Sequence, residues 1–378
     1  MVHMSKQTKV VVLFGGQSGE HEVSLVSAHA VMAALDPARY EVLPVGIAKD
    51  GRWLAGPGAH AALVAAADRA ALPTSFAPAE SGAPGAAGDA LALAPRGDGG
   101  AAATVARLLP GGVDVVFPVL HGPMGEDGTV QGLLELAGVP YVGCGVAASA
   151  VGMDKALMKA AFAAAGLPLL PWLLVRRAEL EADPEAVCDR VVAALSYPVF
   201  VKPANMGSSV GVGKASDRAG LRAAFAEAAR YDRRVVVEQG IPAREIEISV
   251  LGNEAPVTSV PGEVVPSGEW YDYNAKYIDG GSQILIPAPI DAALAATVAE
   301  LAAKAFLAID GAGLARVDFL LDKATGELWL NEVNTMPGFT PISMYAKMWA
   351  ASGLDYPALL DRLIELALER KAGTGGAR

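Results

Sequence analysis

The chain has 378 residues, of which 52% are hydrophobic and 19% are charged, and its formal net charge is −11. A chain of this length and hydrophobic content is expected to form two or three domains with large cores, which excludes global disorder. The negative charge argues against a basic nucleic-acid-binding surface, and two cysteines are too few for a disulfide scaffold.

The first third of the chain predicts alternating strands and helices. Apolar runs over residues 9–14 and 40–47 predict strands, and apolar residues at helical spacing over 23–35 predict a helix between them. A later strand at 113–119 is followed by a helix at 129–137. The order of strand, helix and strand predicts a sheet that is mainly parallel.

The segment from about residue 51 to residue 112 interrupts this pattern. It is rich in alanine, glycine and proline, and it lacks a clear helical or strand period. We interpret it as a variable insertion or a loose surface region, and not as a binding or catalytic site.

The sequence predicts neither a targeting segment nor a membrane span. Residues 1–9 are polar, unlike a signal peptide. The apolar stretch 160–175 falls short of the roughly 20 residues that span a bilayer, and Gly166, Pro168 and Pro171 interrupt it. We therefore expect a cytoplasmic protein that associates with neither membranes nor nucleic acid.

Two further blocks follow the N-terminal region. Their predicted elements are a helix over 147–165, a strand at 199–202, a Gly-rich loop at 204–213, a helix over 218–231, strands at 234–238, 245–251, 314–321 and 328–332, and a terminal helix over 356–370. A long loop rich in glycine and tyrosine is predicted at 263–287. We place the domains at 1–143, 144–238 and 239–378.

The sharpest chemical signal is a pair of strands that carry Arg316 and Asp318, then Glu332 and Asn334. Side chains alternate faces along a strand, so all four share a face if residue 318 pairs with residue 332. A slip of one residue would turn two of them away. Two carboxylates and an amide oxygen on one face suit Mg²⁺, with water and phosphate oxygens completing its ligands. The alternative is the polar outer face of an ordinary antiparallel hairpin.

A second signal is Lys202 at a strand end, followed by a loop with Ser208, Ser209 and three glycines. Backbone N–H groups and hydroxyls of such a loop can surround phosphate oxygens. Lys155, at the start of a predicted helix, could add a positive charge, and the connector Glu238–Ile241 could meet a purine. Taken singly, a surface turn, a solvated lysine and a plain connector are the simpler explanations.

Three further features could bind a small substrate. Glu22 follows the first strand and could bind an ammonium group, while the helix N-terminus beside it favours a carboxylate. His121 lies at the carboxyl end of a later strand, where open α/β sheets bind ligands; a structural histidine is the simpler explanation for it alone. The loop 270–277 carries three tyrosines and Lys276, which suits a lid that excludes water. An aromatic-rich surface loop is the alternative.

These motifs occur in one order along the chain: GGQSGEHEVS, LHGPMGEDG, MDK, VKPANMGSSVGV, EWYDYNAKY, RVDF and NEVNTMPGFTPIS. Together they resemble the D-alanine–D-alanine ligases of the ATP-grasp superfamily over about residues 9–345. Several ordered matches arise by accident far more rarely than one, so the single-feature alternatives lose weight. The resemblance implies a mixed α/β and α+β protein, in which an N-terminal Rossmann-like α/β domain precedes the ATP-grasp fold.

The resemblance also implies a role for each matching residue, with ATP between the second and third blocks. The metal ligands would be Asp318, Glu332 and Asn334, which hold two Mg²⁺ or Mn²⁺ ions. The implied ATP-binding residues are Lys155, Lys202, Ser208, Ser209, Glu238, Gln239, Ile241, Glu245, Lys276, Asn331 and Glu332. The implied D-alanine-binding residues are Glu22, His121, Gly338, Ser343 and Met344. The implied catalytic residues are Glu22, Ser208 and Tyr277 as a hydrogen-bonded triad, Arg316 in an oxyanion hole with Gly338, and Lys276 at the γ-phosphate.

The reaction implied by the resemblance is ligation of two D-alanines through an acyl phosphate, for peptidoglycan synthesis, by a homodimer. In this family, a tyrosine such as Tyr277 after Lys276 is associated with D-alanine as acceptor. A ligase that uses D-serine or D-lactate is the nearest alternative. An NAD-dependent oxidoreductase is more remote, because the strand ending at Ile47 lacks an acidic ribose-binding residue at its tip. A non-catalytic nucleotide-binding protein is equally remote, because the implied metal ligands and Lys276 are present.

Overall fold

The computed structural model describes residues 6–67, 91–94, 112–266 and 283–374 of the chain. The strands of these segments form three sheets, of five, six and four strands. The predicted lid residues, including Lys276 and Tyr277, lie outside the described residues.

The N-terminal sheet contains an apolar strand that pairs with a parallel neighbour on each side. Its elements are β1 (Thr8–Gly15), α1 (His21–Ala34), β2 (Tyr40–Ile47), β3 (Trp53–Ala55), α2 (Ala59–Ala66), β4 (Leu91–Ala94), β5 (Val115–Val119) and α3 (Thr129–Leu136). The strand order is β4-β3-β2-β1-β5, and β1 pairs in parallel with both β2 and β5. Val10 and Val12 on one face of β1 and Val11 and Leu13 on the other are at most 2% exposed, as expected for a strand covered on both faces. The predicted parallel pairing is confirmed for these strands.

The interpretation of segment 51–112 as a loose surface region is wrong for residues 53–66, whereas its interpretation as a variable insertion stays a prediction. The strand β3 pairs with β2 and extends the sheet, and β4 pairs in turn with β3. Helix α2 buries Ala59 and Leu63 in the N-terminal core. The four-residue spacing of these two places them on one face of the helix, but the surrounding alanines hide the period. Residues 68–90 and 95–111 lie outside the described residues.

The middle sheet is antiparallel and is covered by helices on one face. The elements of this block are α4 (Val146–Met153), α5 (Lys155–Ala164), β6 (Trp172–Arg176), α6 (Arg177–Ala182), α7 (Pro184–Ala194), β7 (Val199–Pro203), β8 (Gly213–Ala215), α8 (Arg218–Tyr231) and β9 (Arg234–Gln239). The strand order is β6-β9-β7-β8. Val187 of α7 and Leu221 and Phe225 of α8 form one core with Val235 and Val237 of β9.

Asp154 divides the helix predicted over 147–165 into α4 and α5. Its backbone is extended, with φ −93° and ψ 102°, and its carboxylate accepts the N–H groups of Ala156 and Leu157. This is the geometry of an N-cap, which starts a new helix at Lys155. The prediction of one continuous helix is therefore wrong at this residue, and the break determines where Lys155 lies.

The third sheet is antiparallel and carries the polar face described below. Its elements are β10 (Ala243–Gly252), β11 (Val257–Thr258), β12 (Gly262–Val265), β13 (Gln283–Leu285), α9 (Ala292–Ala308), β14 (Gly313–Asp322) and β15 (Leu328–Asn334), followed by α10 (Met344–Ala351) and α11 (Tyr356–Thr374). The strand order is β13-β12-β10-β14-β15, with β11 beside β10. Val298 and Phe306 of α9 pack with Val317 and Phe319 of β14. Because strand side chains alternate, this packing leaves residues 316 and 318 on the opposite face.

Two of the hydrophobic cores contain residues from more than one predicted domain. Leu359 and Leu363 of α11 lie in the core of the N-terminal sheet. Met158 and Phe162 of α5 lie in the core of the third sheet. The domain boundaries at 143 and 238 stay predictions. None of the described helices is long and apolar enough to cross a membrane.

Candidate active site

The hairpin of β14 and β15 has the register that the metal-site prediction requires. Arg316 lies opposite Asn334, and Asp318 lies opposite Glu332. The register shifts just beyond this pair, where Phe319 lies opposite Leu330 and Asn331 is left as a bulge. The four polar side chains therefore share one face of the sheet.

This face is not an ordinary solvated surface. The side chains of Arg316, Asp318 and Glu332 are only 16%, 13% and 22% exposed. The polar outer face of a simple hairpin would be open to water. Polar groups that are this enclosed, outside the hydrophobic core, are typical of a ligand cleft.

Arg316 and Asp318 form a two-pronged ion pair on this face. Arg316 Nε donates to Asp318 Oδ1 and Nη2 donates to Oδ2, both at 2.7 Å. Asp318 Oδ2 also accepts from Asn334 Nδ2 at 2.9 Å, and Arg316 Nε lies 3.1 Å from Glu247 Oε2. Burial opposes the charge of Arg316, but the carboxylates of Asp318 and Glu247 raise its pKa well above the usual value. The guanidinium is therefore a permanent cation at this site.

Glu247 was not identified from the sequence. It lies on β10 directly opposite Asp318 and is 4% exposed. Its alternation with Ile246 and Ile248 placed it on the polar face of a predicted strand. The pairing of β10 with β14, however, joins residues 71 positions apart (247 and 318). No local pattern could reveal that pairing.

Lys155 reaches the same region from the start of α5. Its Nζ donates to the carbonyl of Met206 at 2.8 Å and lies 4.0 Å from Glu332 Oε2. Its backbone N–H donates to the carbonyl of Ala204 at 2.8 Å. The lysine thus bridges the Gly-rich loop and the hairpin face, where a polyphosphate would meet all three features.

Glu238 forms ion pairs with two further lysines, Lys159 and Lys202. Its Oε2 accepts from Lys202 Nζ at 2.7 Å, and its Oε1 lies 3.1 Å from Lys159 Nζ. Burial would raise the pKa of Glu238, but the two ammonium groups outweigh it and lower that pKa to about 2. Burial lowers and the Glu238 carboxylate raises the pKa of Lys202, with a net rise. Lys159 was not predicted as a site residue, although its spacing from Lys155 in the predicted helix places both on one helix face.

The adenine and ribose assignments stay predictions. Gln239 donates from its side chain to the carbonyl of Ser196 at 2.8 Å, which secures the connector after β9. Ile241 lies in that connector, and Glu245 lies on β10 opposite Leu320. The connector joins β9 of the middle sheet to β10 of the third sheet.

The Gly-rich loop contains two residues with left-handed backbone conformations. Ser208 has φ 49° and Ser209 has φ 58°. For residues with a Cβ atom this region costs about 1–2 kcal/mol each, and such strain occurs mostly at functional sites. Hydrogen bonds from Val210 N to Gly207 O and from Val212 N to Ser209 O hold the turns.

Ser208 contacts Glu20 and not Glu22. The Ser208 hydroxyl donates to Glu20 Oε1. Glu22, in the first turn of α1, points instead towards Lys49, whose Nζ lies 2.6 Å from Glu22 Oε1. The structure therefore does not bring Glu22 and Ser208 together as the implied triad requires, and Tyr277 lies outside the described residues. Glu20, which was not identified from the sequence, takes the place of Glu22 beside Ser208.

His121 is buried and links two loops to α1. Its Nδ1 lies 3.0 Å from the carbonyl of Met336, and its Nε2 lies 3.3 Å from Ser27 Oγ. A carbonyl only accepts, so Nδ1 carries the proton and Nε2 accepts the hydroxyl of Ser27. Burial lowers the pKa of His121, with the carboxylate of Glu20 acting in the opposite direction. The imidazole is therefore neutral at pH 7.

The predicted acceptor residues lie together after β15. Ser343 Oγ accepts from Thr340 N at 3.0 Å. The same hydroxyl lies beside Gly338, which has no side chain to fill the space between them. Met344 begins α10. A hydroxyl beside the free N–H groups of a helix N-terminus is a suitable place for a carboxylate.

Two family models match the sequence. The model described as D-ala D-ala ligase N-terminus matches residues 9–144, and the model described as D-ala D-ala ligase C-terminus matches residues 161–365. The chain belongs to the D-alanine–D-alanine ligase family. The resemblance and the prediction of an ATP-dependent ligase are confirmed at the level of this family.

Curated relatives match over nearly the full chain. The D-alanine–D-alanine ligase of Heliobacterium modesticaldum is 54% identical over 367 residues, which cover 97% of this chain and 96% of the relative. The D-alanine–D-alanine ligase of Geobacillus kaustophilus is 48% identical over 371 residues, covering 96% and 95%. The alternative of an NAD-dependent oxidoreductase therefore has no support.

Solved structures share the fold of the family. The D-alanine–D-alanine ligase of Coxiella burnetii superposes with a TM-score of 0.77 at 34% identity, covering 98% of this chain and 97% of that one. The D-Ala:D-Ser ligase VanG of Enterococcus faecalis gives 0.79 at 33% identity, covering 96% and 100%. The predicted ATP-grasp fold with its N-terminal α/β domain is confirmed.

Proposed function

We propose that this member of the family joins two D-alanines into D-alanyl-D-alanine, with conversion of ATP to ADP and phosphate, for peptidoglycan synthesis. The observation that carries the proposal is the enclosed hairpin face, where Arg316, Asp318, Glu332 and Asn334 lie together. Lys155 meets this face from the Gly-rich loop side. Cations and carboxylates so arranged suit a transfer of phosphate between two bound molecules.

The proposed chemistry activates a carboxylate that is otherwise a poor acylating agent. The carboxylate oxygen of the first D-alanine attacks the γ-phosphorus of ATP, and the bond to the ADP oxygen breaks. The amine of the second D-alanine then attacks the carbonyl carbon of the acyl phosphate, loses a proton, and phosphate leaves. Lys202 and Arg316 offset the charge of the transferred group, and we expect Lys276 to act with them. An acyl phosphate hydrolyses in water, so the reaction requires a closed site.

The donor set on the hairpin face fits a hard divalent cation. Asp318 and Glu332 supply carboxylate oxygens, and Asn334 supplies an amide oxygen. Among the described residues, no three histidine, cysteine or acidic side chains form a metal site by themselves. Mg²⁺ commonly binds through one or two carboxylates plus phosphates and water, so two Mg²⁺ or Mn²⁺ ions would be held jointly with ATP. A bound ion would neutralise the charge that develops on the phosphates.

We place the ammonium group of the first D-alanine at Glu20. The residue is 9% exposed, its carboxylate accepts from Ser208, and it lies close enough to His121 to act on the pKa of that imidazole. Glu22, which the resemblance named, has Lys49 as its charge partner. A buried carboxylate beside a neutral imidazole attracts a cation, and the ammonium group of an amino acid satisfies it.

D-Serine as acceptor is the second candidate, because a D-Ala:D-Ser ligase superposes with a TM-score of 0.79. Tyr277 after Lys276 favours D-alanine. Phosphate release measured with ATP, Mg²⁺ and each of D-alanine, D-serine, D-lactate and L-alanine would separate the acceptors. We expect turnover with D-alanine alone and none with L-alanine. Absence of turnover with D-alanine alone would contradict the proposal.

The metal assignment is tested with a matched pair of variants. Glu332→Gln removes one charged ligand, and we expect turnover to fall by at least about 100-fold. Glu327→Gln changes an exposed residue in the turn of the same hairpin, and we expect activity within about twofold of the wild type. Equal activity of the two variants would refute the metal assignment. The homodimer and the cytoplasmic location stay predictions.

A further inference from the structure

One residue of the acceptor loop, residues 335–343, is held by two hydrogen bonds from the opposite side of the cleft. The N–H of Met336 donates to Glu126 Oε1 at 3.2 Å, and its carbonyl accepts from His121 Nδ1 at 3.0 Å. Glu126 and His121 both lie in the loop between β5 and α3. A loop of the N-terminal sheet therefore fixes both polar groups of Met336 in the third-sheet region.

Glu126 also closes the loop that carries His121. Its Oε2 accepts from Gly122 N at 2.6 Å, and its backbone N–H donates to the carbonyl of Gly122 at 2.9 Å. The same carboxylate thus accepts two N–H groups that belong to different loops. An amide side chain has only one acceptor oxygen, so it would satisfy one of these N–H groups and oppose the other.

The contacts of Met336 matter because Gly338 lies just beyond it. On the other side of Gly338, Phe339 N donates to Ser27 Oγ at 3.4 Å, and the Phe339 carbonyl accepts from Tyr356 OH at 3.0 Å. Gly338 is therefore held between two anchored residues. Its backbone N–H is the group expected to stabilise the oxyanion in the proposed reaction, where small displacements are costly.

We propose that Glu126 is a positioning residue that holds the Gly338 amide in place for the ligation step, by binding Met336 across the cleft. The catalytic effect of Glu126 rests on the proposed function. The contact between Glu126 and Met336 is independent of that function. In this role Glu126 acts through Met336 and not through a contact with substrate.

The cost of keeping a carboxyl group at this position supports the proposal. Burial and the neighbouring carboxylate of Glu20 raise the pKa of Glu126 to about 8. A buried carboxyl group lowers the stability of the folded protein unless it forms hydrogen bonds. Carboxyl groups with strongly shifted pKa values concentrate at functional sites. The N–H groups of Gly122 and Met336 act in the opposite direction and lower this pKa in part, because they stabilise the ionised form. Above about pH 8 the group is therefore ionised and accepts at both oxygens.

Asp127 offers a matched control in the same loop. Its Oδ2 accepts from Met124 N at 2.8 Å and its Oδ1 accepts from Thr129 N at 3.0 Å. Like Glu126 it accepts two backbone N–H groups, but both lie within its own loop and the following helix. Asp127→Ala therefore reports local loop damage without loss of the contact to Met336.

The experiment compares Glu126→Ala, Glu126→Gln and Asp127→Ala by steady-state kinetics above pH 8, where Glu126 is ionised. For Glu126→Ala we expect kcat to fall roughly 10- to 100-fold with the KM for ATP within twofold, as expected when an oxyanion donor is displaced. Glu126→Gln retains one acceptor oxygen, so its kcat should be about fivefold higher than that of Glu126→Ala. Asp127→Ala should stay within about twofold of the wild type. Equal losses in Glu126→Ala and Asp127→Ala, or a parallel rise in the KM for ATP, would overturn the proposal.

Hydrogen exchange keeps the test independent of the ligase reaction. Amides of the acceptor loop should exchange at least about tenfold faster in Glu126→Ala than in Asp127→Ala, because only the first variant removes the acceptor of the Met336 N–H. Unchanged exchange would overturn the positioning role even if the enzyme is active. Faster exchange in a protein without D-alanine ligation would support the contact and refute the proposed function.

Discussion

Glu20 and Glu22 are separated by one residue, yet they face different surroundings because α1 begins between them. Glu20 is the N-cap residue and faces the Gly-rich loop, where Ser208 donates to it. Glu22 is the second residue of α1, and it faces Lys49, which follows β2. The direction of a side chain at a helix start depends on backbone angles that change within one or two residues.

A double-mutant cycle tests which glutamate acts with Ser208. We expect the effects of Glu20→Gln and Ser208→Ala on kcat/KM for D-alanine to be non-additive by about 0.5–3 kcal/mol, because the two groups share a hydrogen bond. The cycle of Glu22→Gln with Ser208→Ala should be additive within about 0.5 kcal/mol. The reverse result would restore the assignment that the resemblance implies.

We expect Glu238 to make the free energy of unfolding decrease as the pH falls. Its folded pKa of about 2 lies below its ordinary value of 4.5 because Lys159 and Lys202 outweigh its burial. The unfolded chain therefore takes up a proton first as the pH falls. The contribution of this carboxylate is fully present above pH 4.5 and is lost progressively between pH 4.5 and about 2.

Urea unfolding of the wild type and Glu238→Gln at several pH values measures this contribution. At pH 7 we expect the variant to be less stable by about 3–5 kcal/mol, because two buried lysines lose their counter-ion. The difference should narrow as the pH falls below 4.5. Glu254→Gln, at an exposed position, should show no such narrowing; a constant difference for Glu238→Gln would contradict the assigned ion pairs.

The break between α4 and α5 shows how one element boundary determines a functional position. Asp154 caps α5 and also contacts Arg234 of β9. Because the new helix starts at Lys155, that lysine lies against Met206 and near Glu332. A continuous helix through residue 154 would carry Lys155 on a different path.

Replacement of Asp154 separates its two contributions. Asp154→Ala removes the cap and the ion pair, and we expect a loss of about 2–4 kcal/mol in the free energy of unfolding together with a higher KM for ATP. Asp154→Asn keeps a good cap, so it should be about 1 kcal/mol more stable than Asp154→Ala. Urea unfolding and ATP titration measure both quantities. Equal stability of the two variants would show that the cap contributes nothing.

At the scale of the whole molecule, the last helix joins the two ends of the chain. Leu359, Leu360 and Leu363 of α11 are completely buried in the core with β1 and β5. Tyr356 of the same helix holds the carbonyl of Phe339. The helix therefore fixes the acceptor loop against the N-terminal sheet, and the active-site cleft depends on packing far from the reacting atoms.

Two leucine substitutions in α11 test this packing. Leu363→Ala opens a cavity in the shared core and should lower the free energy of unfolding by about 2–5 kcal/mol. Leu368→Ala makes the same chemical change at a residue that is 36% exposed, and we expect a loss below about 1 kcal/mol. Urea unfolding measures both. Similar losses would show that α11 does not stabilise the N-terminal core.

The amino-acid sequence by itself determined the local elements and the order of the motifs. Apolar periods identified β1, β5 and the β14–β15 hairpin, and side-chain alternation predicted a shared face for Arg316, Asp318, Glu332 and Asn334 once the register was known. Local patterns have this power because neighbouring residues share one backbone geometry.

The tertiary structure alone decided which distant residues meet. Ser208 and Glu20 are 188 residues apart, and Met336 and Glu126 are 210 apart. The choice of Glu20 over Glu22 and the role of Glu126 depend on how three sheets pack, because a hydrogen bond forms only within about 3.5 Å. No spacing along the chain encodes such a distance. The contacts of the site come from the packing of the cores, and the chemistry comes from the residues that the sequence supplies.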